Sequence, residues 1–152
     1  MSCFGHLKTV ASFCLALAGA VGLVPAAHAQ QGMGFKTPSD NIHCMVEEIV
    51  DEGRDPAVIL RCDMQRLDSP PSPPPADCDL EWGSTFFLRP EDGISELGCV
   101  GDTVRKDEWP VLAYGSTWEG NDFSCISRRD GLTCTNSGGH GFRLSRAKQT
   151  LF

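Results

Sequence analysis

The chain is 152 residues long, 22% of its residues are charged, and its formal net charge at pH 7 is −7. A chain of this length is expected to fold as one domain. Because its excess negative charge repels phosphate backbones and anionic lipid surfaces, we exclude nucleic acid and an anionic membrane surface as electrostatic partners.

Residues 1–29 have the pattern of a cleaved secretory signal peptide. Lys8 gives a basic start, residues 10–24 form an uncharged apolar run, and Ala27-His28-Ala29 is a cleavage sequence of the Ala-x-Ala type. The run is too short for a stable transmembrane helix, so the sequence predicts an exported protein, periplasmic or extracellular, with no stable membrane anchor after cleavage. A lipoprotein attached through Cys14 is the alternative that we do not favour, because a bulky phenylalanine precedes that cysteine.

Six cysteines remain after the signal peptide, and an even number in an exported chain predicts a disulfide framework. Sequence order and the symmetry of the predicted hairpins favour three local bonds. The predicted disulfides are Cys44–Cys62, Cys78–Cys99 and Cys125–Cys134. With all six cysteines paired, no thiol is left for nucleophilic or redox chemistry.

The domain itself is expected to span residues 35–152, after a flexible N-terminus at 30–34. A first strand is predicted at 42–46, where apolar and polar residues alternate, and its hairpin partner at 58–64. The acidic connection between them could bind a hard cation, but it lacks the regular spacing of carboxylates in a calcium loop. We therefore expect a solvated loop.

A proline-rich segment at 69–75 follows these strands. Because proline cannot donate to a sheet ladder, the sequence predicts an exposed stretch of polyproline II. Such a segment could be a ligand for an aromatic groove on a partner. We favour a stiff spacer between the two halves of the domain.

Short strand-like runs continue at 85–88, 97–103 and 109–114. No segment sustains a helical period over three turns, and glycine and proline interrupt the rest. The sequence therefore predicts an all-β fold, a small disulfide-stapled sandwich or barrel built of hairpins. Asp102, within Gly-Asp-Thr, could act as an acid or a calcium ligand, but we favour a turn held by side-chain-to-backbone bonds.

The clearest local pattern is a hairpin over residues 123–134. Two alternating runs flank a predicted connection at 128–131, which ends in Asp130-Gly131, a dipeptide typical of hairpin turns in which glycine supplies a positive φ. If Cys125 faces Cys134, one face of the hairpin carries the larger apolar groups and both sulfur atoms, and it should face the core. The residues on that face are Phe123, Cys125, Ser127, Leu132 and Cys134.

A third run follows this hairpin, and its first residue, His140, is the most informative polar residue in the chain. Side chains alternate along a strand, so His140 shares a face with Phe142 and Leu144. We therefore expect a structural, partly buried histidine whose ring bonds to backbone groups of the 137–139 turn. A catalytic or ligand-binding role is the alternative.

Few residues are available for catalysis. A zinc site would need both His43 and His140 with a carboxylate, and a serine triad would need one of these histidines with an acid and an activated serine. The spacing predicts neither site. The three tryptophans could stack on sugars, but in a small β domain they are more often core or rim residues. We favour a secreted non-catalytic β domain, without cofactor or metal, that binds a protein or a cell-envelope component. The alternative is a His-dependent or metal-assisted hydrolase centred on His140.

Three segments resemble a known family. They are Asn41-Ile-x-Cys44, Cys99-x-Gly-Asp-Thr103 and the ending Gly131-Leu-Thr-Cys-Thr-Asn-x-x-Gly-His-Gly-Phe-x-Leu-Ser-Arg146. Together they are similar to a family of small exported bacterial domains of unknown function, over most of the chain after residue 35. The resemblance implies export, an all-β domain and paired cysteines. It implies no activity, cofactor or substrate.

Overall fold

The computed structural model describes residues 33–50, 56–68, 72–91 and 93–152. The predicted signal peptide and part of the proline-rich segment lie outside the described residues. Within the described ranges the chain forms strands and no helix, so none of it is a helix able to cross a membrane. The strands are β1 (Gly34–Lys36), β2 (Ile42–Ile49), β3 (Ala57–Met64), β4 (Glu81–Leu88), β5 (Ser95–Val100), β6 (Thr117–Gly120), β7 (Phe123–Arg128), β8 (Gly131–Asn136), β9 (Gly141–Leu144) and β10 (Gln149–Leu151).

The strands form two five-stranded antiparallel sheets. The first sheet has the order β1-β2-β3-β4-β5, and the second has the order β10-β9-β8-β7-β6. Within each sheet every strand pairs with its neighbour in sequence, so each sheet is a meander of hairpins. The prediction of an all-β, disulfide-stapled fold is confirmed, and the architecture is the sandwich rather than the barrel.

The core lies between the two sheets. Side chains alternate between the faces of a strand, so apolar residues at every second position, such as Leu60 of β3, point inward and are buried. Aromatic rings join the sheets: Phe35 of β1 lies 5.2 Å from Trp118 of β6, and Phe86 of β4 lies 6.0 Å from Phe142 of β9, between ring centroids. Trp118 is therefore a core residue, as predicted for the tryptophans.

Three disulfides join cysteines in the pairing that the sequence predicts. Cys44–Cys62 joins β2 to β3, and Cys125–Cys134 joins β7 to β8, each between register partners in the core. Cys78–Cys99 joins the connection before β4 to β5. Each bond closes a short loop and contributes about 3 kcal/mol on the chain-entropy estimate.

Two tight turns set the register of the second sheet. The predicted connection at 128–131 is shorter in the structure: Arg128 and Gly131 are register partners, so the β7–β8 turn consists of Arg129 and Asp130. Gly131 has a φ of +142°, and a Cβ there would lie 2.5 Å from the carbonyl oxygen of Leu144, so a side chain does not fit. Asn121 and Asp122 join β6 to β7, and both have a positive φ, as a type I′ turn requires. This second turn was not predicted.

Two segments differ from the prediction. Gly34 lies in β1 and pairs with β2, rather than in a flexible N-terminus, because the next residue, Phe35, is buried in the core. The run at 109–114 is not a strand: Val111 alone forms a bridge there, to Lys36. This segment connects the first sheet to the second, and it runs beside β1, the edge strand of the first sheet, only at this residue.

Within the described part of the proline-rich segment, the prolines at 73–75 are exposed. The carbonyl of Ser72 accepts a hydrogen bond from Trp82 Nε1 at 3.1 Å. The described prolines therefore lie at the surface, with this one bond to β4 beside them.

Candidate functional site

His140 precedes β9 and is half-buried. Its backbone N–H donates to Asn136 Oδ1 at 3.0 Å, and its carbonyl accepts from the Asn136 N–H at 3.0 Å. Phe142 and Leu144 are buried, as the alternation predicts. Within the described residues the His140 ring forms no hydrogen bond to the 137–139 turn, so Asn136 and not the imidazole organises this turn.

His43 lies in β2 on the outward face of the first sheet, and its side chain is fully buried. Its Nε2 is 3.3 Å from the carbonyl oxygen of Asp40. The neighbouring Ile42 lies close to the β7–β8 turn, whereas His140 follows the far end of β8, so the two histidines lie at opposite ends of the sandwich. The described ranges contain no group of three His, Cys, Asp or Glu side chains that could hold a metal ion.

Asp102 belongs to a polar cluster on the outward face of the first sheet. Arg61 and Asp63, both in β3, are 3% and 4% exposed and form a two-point ion pair with N–O distances of 3.0 and 3.2 Å. Thr85 Oγ1 and the Val104 N–H donate to the Asp63 carboxylate, each at 2.9 Å. Arg61 also donates to Asp102, at 3.0 Å to Oδ1 and 2.8 Å to the carbonyl oxygen. We call these five residues the Arg61 cluster.

The Arg61 cluster holds the connection after β5 against the sheet. Burial acts to lower the pKa of Arg61, but hydrogen bonds and charge from Asp63 and Asp102 outweigh it, and the pKa is raised overall. Burial raises the pKa of Glu47, and the charge of Arg61, 3.7 Å away, offsets part of that rise. Each carboxylate oxygen of Asp63 accepts two hydrogen bonds from inside the protein, which is the pattern of a structural ion pair and leaves no open position for a ligand.

A groove of about 510 Å³ opens at the end of the sandwich where β2 begins and β7 turns into β8. Side chains carried by both sheets and their connections line it. Four arginines and two aspartates are among them, so we call it the basic groove. Its charged lining residues are Arg66, Asp68, Arg128, Arg129, Asp130 and Arg146, and its uncharged polar ones are Thr37, Ser39, Asn41, Tyr114 and Ser145.

Both aspartates of the basic groove are already paired. Asp68 forms an ion pair with Arg146, with 3.0 Å between Asp68 Oδ1 and Arg146 Nε. Asp130 accepts from Arg143 at 2.6 Å, and Arg143 does not line the groove. The aspartates therefore leave the positive charge of the other three groove arginines uncompensated.

These three arginines have no carboxylate partner among the residues that the structure describes. Arg129 lies over the ring of Tyr114, with its guanidinium carbon 5.1 Å from the ring centroid. The backbone of Arg66 is held by Asn41, whose side chain accepts from the Arg66 N–H at 2.9 Å and donates to its carbonyl at 3.1 Å. Arg128 closes the β7–β8 turn opposite Gly131. The groove thus combines fixed backbones with unpaired guanidinium groups.

The sequence analysis singled out none of the groove arginines. Arg128 and Arg129 lie in a predicted turn, where a charged residue is expected to be solvated. Arg66 and Arg146 follow other strands, and only the packing of the two sheets brings all four together. The available signal was the placement of arginine beside turns in an otherwise acidic chain.

A hollow at the opposite end of the sandwich has an acidic lining. Its volume is about 640 Å³, and it is lined by the apolar side chains of Met33, Val46 and Val58 and by the acidic Glu48 and Glu119. The described lining of this hollow contains no Lys or Arg. The described linings of the groove and of this hollow therefore differ in charge.

The fold and the groove define the class of protein: a disulfide-linked, two-sheet β-sandwich domain with a charged groove at one end. Residues 14–152 match the family described as Family of unknown function (DUF6636), and the chain belongs to this family. Neither the curated proteins nor the solved structures contain a match to the chain. Family membership brings no activity or ligand with it.

Proposed function

We propose that this protein is a non-catalytic binding domain that works outside the cytoplasm and holds a protein or a cell-envelope component in the basic groove. The observation that carries the proposal is the groove itself, where four arginines from distant parts of the chain meet and three of them have no carboxylate partner in the described residues. The three disulfides indicate an oxidising, non-cytoplasmic environment, since such bonds persist there. Export to the periplasm or the medium would provide it.

The groove also has the size and rigidity of a binding site. Its volume of about 510 Å³ lies within the range of pockets that hold small ligands or single groups of larger ones. Its charged residues lie on turns and connections, and a rigid sandwich holds them in place. The Cys125–Cys134 disulfide fixes the hairpin that carries Arg128 and Arg129, so binding there requires little ordering of the protein.

We do not retain the hydrolase centred on His140 as a second candidate. His140 lies at the other end of the sandwich from His43, and its backbone, not its ring, bonds to Asn136. Within the described ranges no acid–base partner is hydrogen-bonded to the His140 ring, as a general base held by an orienting group would require.

The test compares the full chain, exported so that its disulfides form, with a variant whose groove is filled. Ser39→Trp places a large side chain at an exposed groove position without changing the charge, and Thr150→Trp does the same on the exposed face of β10, away from the groove. Each protein, labelled with a nitrogen isotope, is mixed with a solubilised cell-envelope fraction. The shifts of its amide resonances then report where ligand binds.

We expect the shifted amides of the parent protein and of Thr150→Trp to cluster around the basic groove, and those of Ser39→Trp to stay unshifted. Thermal melts of the three proteins check that each is folded. Shifts that cluster elsewhere, or that persist in the folded Ser39→Trp variant, would show that the groove is not the binding site.

A further inference from the structure

Most arginines of the basic groove lack a carboxylate partner among the described residues, unlike the arginines elsewhere in the described structure. Every described arginine that does not line the groove has a carboxylate partner: Arg61 with Asp63, Arg89 with Glu96, Arg105 with Asp107 and Arg143 with Asp130. Within the groove, Arg146 alone has one, in Asp68. Arg66, Arg128 and Arg129 therefore form a set of unpaired guanidinium groups in one concave site among the described residues.

From this contrast we infer that the groove binds an anionic group of its ligand, a carboxylate or a phosphate; the inference rests on the proposed function. Cations that line one groove repel one another, and an anion between them removes that repulsion. The planar guanidinium group donates two parallel hydrogen bonds to a carboxylate or a phosphate, which an ammonium group does not do. The four cations in the described lining of the groove are all arginine, and none is lysine.

The net charge of the chain indicates whether an anion is attracted from a distance or bound only by short contacts. With a net charge of −7, the protein as a whole repels anions at long range, so electrostatic steering does not draw the ligand in. Binding depends on short contacts inside the groove, where the local charge is positive. The ligand is therefore recognised by the geometry of its charged groups and not by net charge alone.

Several groove arginines are already held in position. Arg129 is placed over the Tyr114 ring. Arg146 forms an ion pair with Asp68 through Nε, and the Asp68 N–H donates to the Arg146 carbonyl at 2.9 Å, so the backbones of the two residues are held together. Its two terminal nitrogens have no carboxylate partner among the described residues. Such positioning lowers the entropy lost when a ligand binds.

The experiment titrates the full chain, with its disulfides formed, with three polymers by calorimetry. Inorganic polyphosphate carries phosphate, poly-glutamate carries carboxylate, and dextran is uncharged. The variants Arg66→Gln and Arg128→Gln each remove one groove cation, and Arg105→Gln removes an exposed arginine outside the groove, so that net charge changes equally. Each titration is run at about 50 mM and about 500 mM salt, since screening weakens exposed charge contacts.

We expect at least one of the two anionic polymers to bind at low salt, dextran not to bind, and each groove variant to raise Kd about tenfold, the loss expected for one charge-assisted hydrogen bond. Arg105→Gln should change Kd by less than about twofold, the effect of a distant exposed charge. Which polymer binds distinguishes phosphate from carboxylate. Equal weakening by all three variants would show binding through net charge and overturn the inference.

This outcome is separable from the proposed function. If neither anionic polymer binds but Ser39→Trp still abolishes the shifts caused by envelope material, the groove is the binding site and its ligand is not anionic. If Ser39→Trp abolishes nothing, the groove is not the site and the proposed function itself is wrong.

Discussion

Removing the Asp63 carboxylate tests the assignment of the Arg61 cluster as a structural ion pair. Asp63→Ala deletes the acceptor of four hydrogen bonds, two from Arg61 and one each from Thr85 and Val104. It leaves the guanidinium group of Arg61 buried, with a side-chain exposure of 4%. A buried charge that loses its partner is the most destabilising result of a single substitution in such a pair.

The magnitude follows from what remains. Breaking a buried ion pair by removing one partner costs about 3–5 kcal/mol. Arg61 keeps its two bonds to Asp102, so we expect the lower end, a loss of about 3 kcal/mol in the free energy of unfolding. For a domain of this size that corresponds to a fall in Tm of about 10 °C.

The measurement is urea unfolding of the oxidised protein, supported by thermal melts. Asp102→Ala is the matched control within the cluster: its side chain is 78% exposed, so its loss should cost at most about 1 kcal/mol. The double variant Arg61→Met/Asp63→Leu should be more stable than Asp63→Ala, because no unpaired charge stays buried, although the Thr85 hydroxyl and the Val104 N–H still lose their acceptor.

A loss below about 1 kcal/mol in Asp63→Ala would refute this reasoning, since that is the value for a solvent-exposed pair. A double variant as unstable as Asp63→Ala would also contradict it. In that case the packing of these side chains, and not their charge pairing, would account for their contribution to stability.

Three further predictions concern the glycine of the β7–β8 hairpin, a partly buried carboxylate and the proline-rich segment. Gly131→Val should lower the free energy of unfolding by about 2 kcal/mol or more in urea melts, because a Cβ would meet the Leu144 carbonyl; an unchanged midpoint would mean that the turn relaxes. The pKa of Glu47 is raised in the folded protein, so its contribution to stability is present below its ordinary value of 4.5 and is lost as pH rises through the raised pKa. The free energy of unfolding of Glu47→Gln should therefore equal that of the parent near pH 3 and exceed it near pH 7. The opposite trend in a series of urea melts over pH would contradict the raised pKa. Deleting residues 72–74 should cost about 1 kcal/mol, the value of the Trp82 hydrogen bond, and a loss above about 2 kcal/mol would show that the segment packs as core.

The fold could be predicted where the sequence has a period of two and paired cysteines. Cys125 and Cys134 pair in register because the two-residue Arg129-Asp130 turn sets the offset between β7 and β8. The same logic placed Cys44 opposite Cys62, although the connection between their strands is longer. Local turn chemistry and alternation decide these pairings, and both are present in the sequence.

The Arg61 cluster could not be predicted in this way. Alternation along β3 sends Leu60 inward and Arg61 outward, and an outward charged residue is normally solvated. Arg61 is buried because the connection after β5 folds back over the sheet and supplies Asp102 and the Val104 N–H. The path of a connection that is not a strand has no periodic signal in the sequence.

For His140, the sequence predicts the burial of its neighbours in the strand but not the contacts of the turn before it. Its neighbours Phe142 and Leu144 are buried as alternation predicts. The partner of the turn before it is the Asn136 side chain, whose amide also donates to the Arg89 and Gly93 carbonyls, at 2.8 and 2.7 Å. Those carbonyls belong to the first sheet's connections, so this role depends on how the two sheets pack together.

Arg61 and Arg128 differ in whether a carboxylate partner is present among the described residues. Arg61 donates to the carboxylates of Asp63 and Asp102, so its replacement should cost stability and leave any ligand affinity in the folded protein unchanged. Arg128 is exposed and has no carboxylate partner within the described ranges, so its replacement should leave stability unchanged within about 0.5 kcal/mol. If the loss of a groove arginine leaves stability unchanged, we expect it to lower the affinity for ligand. A fall in stability without a change in affinity for Arg128→Gln would assign the groove arginines, like Arg61, to the structure of the domain.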